Sequence, residues 1–372
     1  MKANLQKTKI IVFRNGGYLR KNEKWFINGE EIEVVPYYKY LGLFVSSRLN
    51  WSKATQTLAS QAQKAIGIIK CYNKKCGGLD IKTAFFLFDR MVAPILYYAS
   101  EIWGTCVNKN IEQEHTQFCK YILRVGMKTS NVAVLGECGR YPLYVYYHTK
   151  AIKYWIKLLQ MSEDRYPKQC YNMSKSLDDC CRTKLNWVTQ IRNSLYRHGF
   201  GEVWISQEIG DPGAFLFLFV QRLKDISFQE WHSKINESPK LDNYCTYKSL
   251  LEMELYLKVI PNVHYRQALA ALRCSNHSLA IEKDRHNKQY IDKQDRICKL
   301  CLESGKYCTE NEIHFVLECE TYSDLRQMFI PSYFIQNSNR FSQLMNTKNE
   351  ITIYNLSKYC FYAFQRRKEM LL

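Results

Sequence analysis

The first fifty residues carry the apolar pattern and the turn signals of β-strands. Short runs rich in β-branched and aromatic residues are separated by Asn15-Gly16-Gly17 and by Asn28-Gly29, the second of which suits a type I′ hairpin turn. The strands predicted in this way are Lys9–Phe13, Trp25–Ile27, Glu30–Val35 and Tyr37–Val45.

From Trp51 onward the apolar residues recur at helical spacing. The first helix is expected to end near Gly77-Gly78, and a second to open at Asp80, a good N-cap, and to break or kink at Pro94. Two more are predicted, one carrying Ile111 to Ile122 and stopping at Gly126, and one from Tyr146 to Leu159. Residues 160–290 also have mostly helical patterns, so the predicted fold class is α+β and predominantly α-helical.

The helix predicted at Tyr146–Leu159 has one apolar and one basic face. Ala151, Trp155 and Leu158 belong to its apolar stripe, and the opposite side carries three lysines. The basic positions are Lys150, Lys153 and Lys157. Two interpretations stay open for them, contact with water and contact with a phosphate backbone.

Composition adds a charge argument and a compartment argument. The chain has 53 Lys and Arg against 35 Asp and Glu, a net charge of +18, together with 27 Tyr and 7 Trp, which favours RNA or DNA as partner. No apolar run approaches a membrane span, and the N-terminus has no secretory signal pattern, so a nuclear or cytoplasmic protein that is not secreted is expected. The odd count of 15 Cys indicates free thiols and a metal site rather than a disulfide framework.

One cysteine–histidine cluster has the spacing of a closed zinc site. Cys298-x2-Cys301-x12-His314-x4-Cys319 lets a tight turn place two thiolates and a helix end supply the other two ligands. Four protein ligands leave no position for water, so the predicted cofactor is a structural Zn²⁺. Cys308 is a rival for the fourth ligand, because C-x2-C-x6-C-x5-H is also feasible.

The carboxylates do not form a recognisable active site. Two-metal phosphoryl transfer needs converging carboxylates. Glu30, Glu31 and Glu33 are expected to face solvent in a hairpin, and Asp178-Asp179 lacks flanking strand residues and is interpreted as a capping or solvated pair. The sequence therefore assigns no catalytic residue to this chain.

Four segments of the chain carry motif patterns, and they are Asn4–Phe13, Tyr38–Leu43, Ile95–Gly104 and the Cys298 to Cys319 cluster. In this order they resemble the reverse transcriptases of non-LTR (LINE-type) retrotransposons. Asn4–Phe13 is similar to the N-x-x-K-T-K-x-x-V-F stretch that follows the catalytic Asp-Asp strand, and Tyr38–Leu43 to the Y-K-Y-L-G primer-grip strand. Ile95–Gly104 resembles the P-x-L-x-Y-G-x-E-x-W-G segment after the thumb, with Ala99 where the family commonly has glycine. The fourth segment, Cys298 to Cys319, resembles the family's C-terminal zinc knuckle.

The resemblance implies a C-terminal fragment of an RNA-directed DNA polymerase whose parent performs target-primed reverse transcription. The family's catalytic aspartates and its Mg²⁺ would belong to the full-length parent enzyme, upstream of Met1, which leaves this chain to bind RNA or DNA without polymerase activity. By analogy Lys7 or Lys9 assists nucleotide addition, and the strand with Tyr38, Lys39 and Tyr40 holds the primer end. The alternative is a host-retained nucleic-acid-binding adaptor with a structural zinc site.

This resemblance also divides the chain into five segments. They are a palm remnant at 1–50, thumb-like helices at 51–130, a helical C-terminal region at 131–290, a CCHC zinc knuckle at 291–330 and a C-terminal tail at 331–372.

Overall fold

A computed structural model confirms the predicted fold class, with two short hairpins near the N-terminus followed by helices. The structure describes Asn4, residues 7–14, Gly17, Arg20 and residues 22–180, 186–287 and 289–372. The predicted turn residues Asn15 and Gly16, and Leu5 and Gln6 of the first motif, lie outside the described residues. Among the helices of the described part, none combines the length and the apolar character needed to cross a bilayer.

The hairpin predicted around Asn28-Gly29 is confirmed. Strands β1 (Phe26–Ile27) and β2 (Glu30–Glu31) pair antiparallel, with Ile27 opposite Glu30. Asn28 has φ 51° and Gly29 has φ 84°, the two left-handed positions of a type I′ turn. The turn residues therefore set the register, as the sequence indicated.

The single strand predicted over Tyr37–Val45 is wrong. These residues form a second antiparallel hairpin, β3 (Tyr37–Tyr40) and β4 (Leu43–Ser46), with Tyr40 opposite Leu43. Leu41 at φ 45° and Gly42 at φ 87° make the turn. A leucine at a left-handed position is unusual, so the sequence of this apolar run did not indicate that the chain turns there.

The strand predicted over Lys9–Phe13 is reduced to one parallel bridge between Ile10 and Val34. The Ile10 amide donates to the Glu33 carbonyl at 3.0 Å, and the Val35 amide donates to the Ile10 carbonyl at 2.9 Å. The rest of the segment has no strand partner among the described residues. Strand propensity alone does not form a strand, because each strand needs a paired neighbour.

The helices, in chain order, are α1 Ser52–Lys75, α2 Ile81–Leu87, α3 Ala93–Leu96, α4 Ser100–Trp103, α5 Lys109–Leu123, α6 Asn131–Cys138, α7 Tyr144–Leu159, α8 Tyr166–Asp179, α9 Trp187–Arg197, α10 Gly201–Ser206, α11 Pro212–Asn236, α12 Tyr256–Val259, α13 Val263–Arg273, α14 Ala280–Lys283, α15 Lys299–Glu303, α16 Ser323–Phe329, α17 Ser332–Ile335, α18 Phe341–Met345 and α19 Glu350–Met370. The four predicted helices correspond to α1, α2, α5 and α7. A π turn at Phe88–Val92 joins α2 to α3, whose first turn holds Pro94. The proline therefore starts a new short helix after a change of pitch.

The chain forms two compact units. Unit 1 comprises residues 1–68, 88–114 and 143–224, and unit 2 comprises residues 69–87, 115–142 and 225–372. In unit 1, α7 is the central helix, and its Tyr147, His148 and Trp155 are fully buried. The Glu112 carboxylate accepts from the Leu143 amide at 3.0 Å and the Tyr144 amide at 2.7 Å, which satisfies the first amides of α7.

The core of unit 2 contains a buried ion-pair network. Arg273 of α13 donates from Nε to Glu137 Oε2 at 2.7 Å and from Nη1 to the Met345 carbonyl at 2.6 Å. Its Nη2 also pairs with Glu254 Oε2 at 2.9 Å. One guanidinium therefore links three separate segments of the unit. Its positive charge offsets the negative charge of the two carboxylates, which reduces the free-energy cost of burying them.

Candidate metal centre

The four zinc-site residues predicted from sequence lie within or next to two short helical elements. Cys298 immediately precedes α15, which contains Cys301. His314 opens a π turn that runs to Glu318, and Cys319 follows it directly. The Cys298 amide donates to the Cys308 carbonyl at 2.8 Å, and the Cys319 amide donates to the His314 carbonyl at 2.8 Å. These backbone bonds hold both thiol-bearing turns.

The four side chains form one buried group. Their ligand atoms all lie within 4.8 Å of one another. Cys301 Sγ lies 3.4 Å from His314 Nε2 and 3.6 Å from Cys319 Sγ. Ligands around a tetrahedral zinc with Zn–S near 2.3 Å are separated by about 3.6–3.8 Å. This Cys3His group could therefore hold a metal ion such as zinc.

The rival ligand Cys308 is not part of this group. Its carbonyl oxygen serves the site by accepting from the Cys298 amide, while its side chain is only partly buried. Of the two spacings that the sequence left open, the one ending in Cys319 therefore matches the geometry. The other described cysteines are also free thiols, and Cys181 lies outside the described residues.

The pKa values of the cysteines and of His314 in this group are shifted by burial and by their mutual contacts. A hydrogen bond from the Cys298 thiol lowers the pKa of Cys319 to about 3. Burial raises the pKa of Cys301 to about 11. Burial opposes the charged form of His314, but the Cys319 sulfur raises the pKa of the ring overall. The Cys319 thiolate therefore offers a negative charge to a cation, and binding of a metal ion would displace the protons of the other thiols.

A second layer of polar groups surrounds these ligands. Glu318 Oε2 lies 3.5 Å from His314 Nδ1, on the side of the ring away from the sulfurs. Glu310 Oε1 lies 3.9 Å from Cys298 Sγ. Arg367 of α19 binds Glu310 through two parallel bonds, Nε to Oε1 at 2.6 Å and Nη2 to Oε2 at 2.7 Å. Such partners orient metal ligands and tune their charge.

Sequence reasoning missed these supporting residues. Arg366 and Arg367 belong to the segment 331–372 that the sequence assigns to a C-terminal tail, yet Arg367 is buried and Arg366 forms a bidentate ion pair with Asp324. The buried Arg326 donates to the Cys319 carbonyl at 2.5 Å. The segment 331–372 is largely helical, and α19 supports the cluster. The only available signal was the helical spacing of apolar residues in α19.

The predicted contacts at the N-terminus are not equally free. Lys9 is paired with Glu33 at 2.5 Å, and the Tyr38 hydroxyl donates to the Lys7 carbonyl at 3.2 Å. The Lys7, Lys39 and Tyr40 side chains are exposed. The structure therefore leaves these three accessible, and whether any of them contacts a primer stays a prediction.

The basic face of α7 is confirmed as a surface. Lys153 and Lys157 are exposed, opposite the buried Trp155. Lys150 is half-buried, with its Nζ 4.0 Å from Glu101 and 5.9 Å from the centre of the Tyr97 ring. Two of the three lysines therefore present charge directly to solvent, and the choice between water and phosphate stays open.

Asp178 and Asp179, which the sequence excluded from an active site, both form ion pairs in the structure. The interpretation of Asp178 as a capping or solvated residue is wrong, because this side chain is buried and pairs with Arg192 at 2.9 Å between α8 and α9. Asp179 is exposed and pairs with Lys175 at 3.1 Å. Glu30, Glu31 and Glu33 are exposed, as expected.

The backbone at Ala99 has a conformation that favours glycine, the residue at this position in the motif that Ile95–Gly104 resembles. Its backbone has φ 54° and ψ 24°, a left-handed conformation that disfavours a Cβ. The neighbouring Trp103 indole donates to the Tyr98 carbonyl at 2.9 Å, which closes the turn around Ala99. Alanine at this position therefore carries a local conformational cost.

Comparison with known proteins adds no identification. The chain matches no protein-family model, no curated protein and no solved structure. The resemblance to LINE-type reverse transcriptases therefore stays a hypothesis that rests on its four motifs.

Proposed function

We propose that this chain is the C-terminal part of a LINE-type RNA-directed DNA polymerase and that its residues bind RNA or DNA around a structural zinc ion. The observation that carries the proposal is the buried Cys3His group, at the place in the motif order where the family has its zinc knuckle. The net charge of +18 supports a polyanionic partner. No polymerase chemistry is assigned to this chain.

In this proposal Cys298, Cys301 and Cys319 bind zinc as thiolates, and His314 binds it through Nε2. All four positions are protein ligands and all four residues are buried, so the ion stabilises the fold and activates no water. Its binding free energy contributes to the folding of residues 296–320, which contain only short helical elements.

Metal analysis of the purified protein tests the zinc assignment. We expect about one zinc ion per chain, and we expect it to be lost from Cys298→Ser and Cys319→Ser variants. Cys308→Ser is the matched control and should keep the ion. Zinc that survives in Cys319→Ser but disappears in Cys308→Ser would overturn the ligand set.

The exposed lysines of α7 are proposed to contact phosphates. Binding of a fluorescent single-stranded RNA or DNA should weaken steeply as salt rises, because each phosphate contact releases counterions. A Lys153→Gln/Lys157→Gln variant should lower the slope of log K against log salt by about 1.4, or about 0.7 per lost contact. Lys175→Gln, which removes a lysine already paired with Asp179, is the control.

Two results would contradict the nucleic-acid proposal. One is binding that does not respond to salt, and the other is the absence of binding to single-stranded RNA and DNA by the zinc-loaded chain. An unchanged slope in the Lys153/Lys157 variant would remove α7 from the interface.

A further inference from the structure

A groove with a volume of about 690 Å³ lies between α13 and α19 in unit 2. Its walls include His264 and Gln267 of α13 and Phe361, Phe364 and Lys368 of α19. Sites that enclose organic ligands usually have volumes of about 300–1,000 Å³. The groove is therefore large enough to accept a group such as a nucleobase, and neither the zinc group nor α7 contributes to its lining.

The groove lining combines flat apolar rings with amides. Phe361 and Phe364 supply the rings, and Gln267 supplies a side-chain amide that can both donate and accept. Asn276 Oδ1 already accepts from the Gly126 amide at 2.8 Å, and Gln365 Nε2 already donates to Glu369 at 3.2 Å. Asn276 therefore offers its nitrogen as a donor, and Gln365 offers its oxygen as an acceptor. No carboxylate belongs to the lining, and Lys368 is exposed with no ion-pair partner among the described residues. An anionic ligand with a flat heterocycle matches this chemistry.

His277 gives the groove a fixed polar wall. Its Nε2 lies 3.0 Å from Glu312 Oε1, which holds the ring with Nε2 as donor. The ring stacks on Phe364 with centroids 6.2 Å apart and an interplanar angle of 25°. Its Nδ1 is buried and has no hydrogen-bond partner among the residues that the structure describes. An unpaired buried ring nitrogen costs free energy that a hydrogen bond to a bound group would recover.

An aromatic face continues from the groove along the same two helices. We define it by Tyr265, Tyr354, Phe361 and Tyr362. The Tyr265 ring lies 5.3 Å from Phe361 and 6.0 Å from Tyr354, and its hydroxyl lies 3.1 Å from that of Tyr362. Lys358 Nζ lies 4.6 Å from the centre of the Tyr354 ring. Rings interleaved with cations are the surface on which single-stranded nucleic acids stack.

We propose that the aromatic face and the groove together bind single-stranded nucleic acid, with one base inserted between Phe361 and the wall formed by Phe364 and His277. This inference rests on the proposed function and names where it acts. The amides of the groove contact the base edge, and Lys358 and Lys368 contact phosphates on either side. A duplex cannot insert a base without unpairing it, so single strands are preferred.

Fluorescence anisotropy with the full zinc-loaded chain and a labelled twelve-nucleotide single strand tests this site. Phe361→Leu keeps apolar bulk but removes the stacking surface, and it should weaken binding by about fivefold to 150-fold, the range for one stacked base. Tyr166→Leu, an exposed ring of α8 in unit 1, is the matched control and should bind as the wild type. A duplex of the same sequence should bind more weakly than the single strand.

Two further measurements keep the test decisive if Phe361→Leu does not fold. Lys368→Gln changes only an exposed side chain and should weaken binding several-fold while zinc content stays unchanged. A single strand carrying 5-iodouridine should cross-link, on irradiation, to a peptide containing Phe361 or Phe364. Either result supports the site.

The failure of this inference differs from the failure of the proposed function. The wild-type protein could bind single strands while Phe361→Leu and Lys368→Gln bind equally well and the cross-links map elsewhere. That result would refute the groove as the binding site but would leave nucleic-acid binding by the chain intact. Tighter binding of the duplex than of the single strand overturns it as well. Wild-type protein that binds no single strand removes both.

Discussion

Replacing Arg367 by methionine should weaken both the fold of unit 2 and the proposed zinc site. The Glu310 carboxylate is 1% exposed and forms two bonds of 2.6 and 2.7 Å to Arg367. Methionine preserves much of the apolar stem but leaves Glu310 buried without its cation, 3.9 Å from the Cys298 sulfur. Breaking a buried pair from one side costs about 3–5 kcal/mol.

The size of the effect can be measured by thermal unfolding. For a unit of roughly 150–250 residues, about 2–4 °C in Tm corresponds to 1 kcal/mol, so Arg367→Met should lower Tm by roughly 6–20 °C. Zinc affinity, measured by competition with a chelator, should fall by about 10–100-fold because the carboxylate beside Cys298 loses its orientation.

Arg366→Met is the matched control. Its pair with Asp324 is exposed to solvent, and such pairs contribute about 0–1 kcal/mol. A Glu310→Gln/Arg367→Met double variant should recover much of the lost stability, because it removes the uncompensated charge. Equal unfolding temperatures and equal zinc affinities for the Arg366 and Arg367 variants would refute the argument.

Three other substitutions test the fold. Gly139→Ala should destabilise the protein by roughly several kcal/mol, because φ is 61° there and a Cβ would lie 2.1 Å from the Met253 amide nitrogen. An unfolding temperature equal to that of the wild type would contradict this close approach. Ala99→Gly should stabilise by up to about 1 kcal/mol in denaturant unfolding by relieving a left-handed alanine, and any loss of stability would argue against that conformation. Burial lowers the pKa of His148 to about 4, so the unfolded chain binds one more proton than the folded chain between that value and its usual 6.5. Stability should therefore fall as pH drops through this window, by about 1.4 kcal/mol per pH unit, and His148→Asn should lack this component.

The local features of the fold could be predicted because they depend on neighbours in sequence. The hairpin at Asn28-Gly29 and the N-cap of α2, where Asp80 accepts from the Thr83 amide at 2.9 Å, follow from residues only a few positions apart. The α7 stripe buries Trp155 as its spacing indicated. In each case the side-chain period or the turn residue alone specifies the geometry.

The less local features could not be predicted in the same way. The turn at Leu41-Gly42 lies inside an apolar run, and the Lys9–Phe13 segment found a single strand partner at Val34. Strand formation depends on which segment pairs alongside, and that partner is not encoded within the strand itself.

The cysteine and histidine spacing by itself determined a candidate zinc site, because C-x2-C and H-x4-C place ligands on tight local turns. Only the tertiary structure decided that Cys319 rather than Cys308 completes the group, that Arg367 is buried against Glu310, and that α13 and α19 enclose a groove. Those outcomes join residues that are far apart along the chain, so packing and desolvation select them.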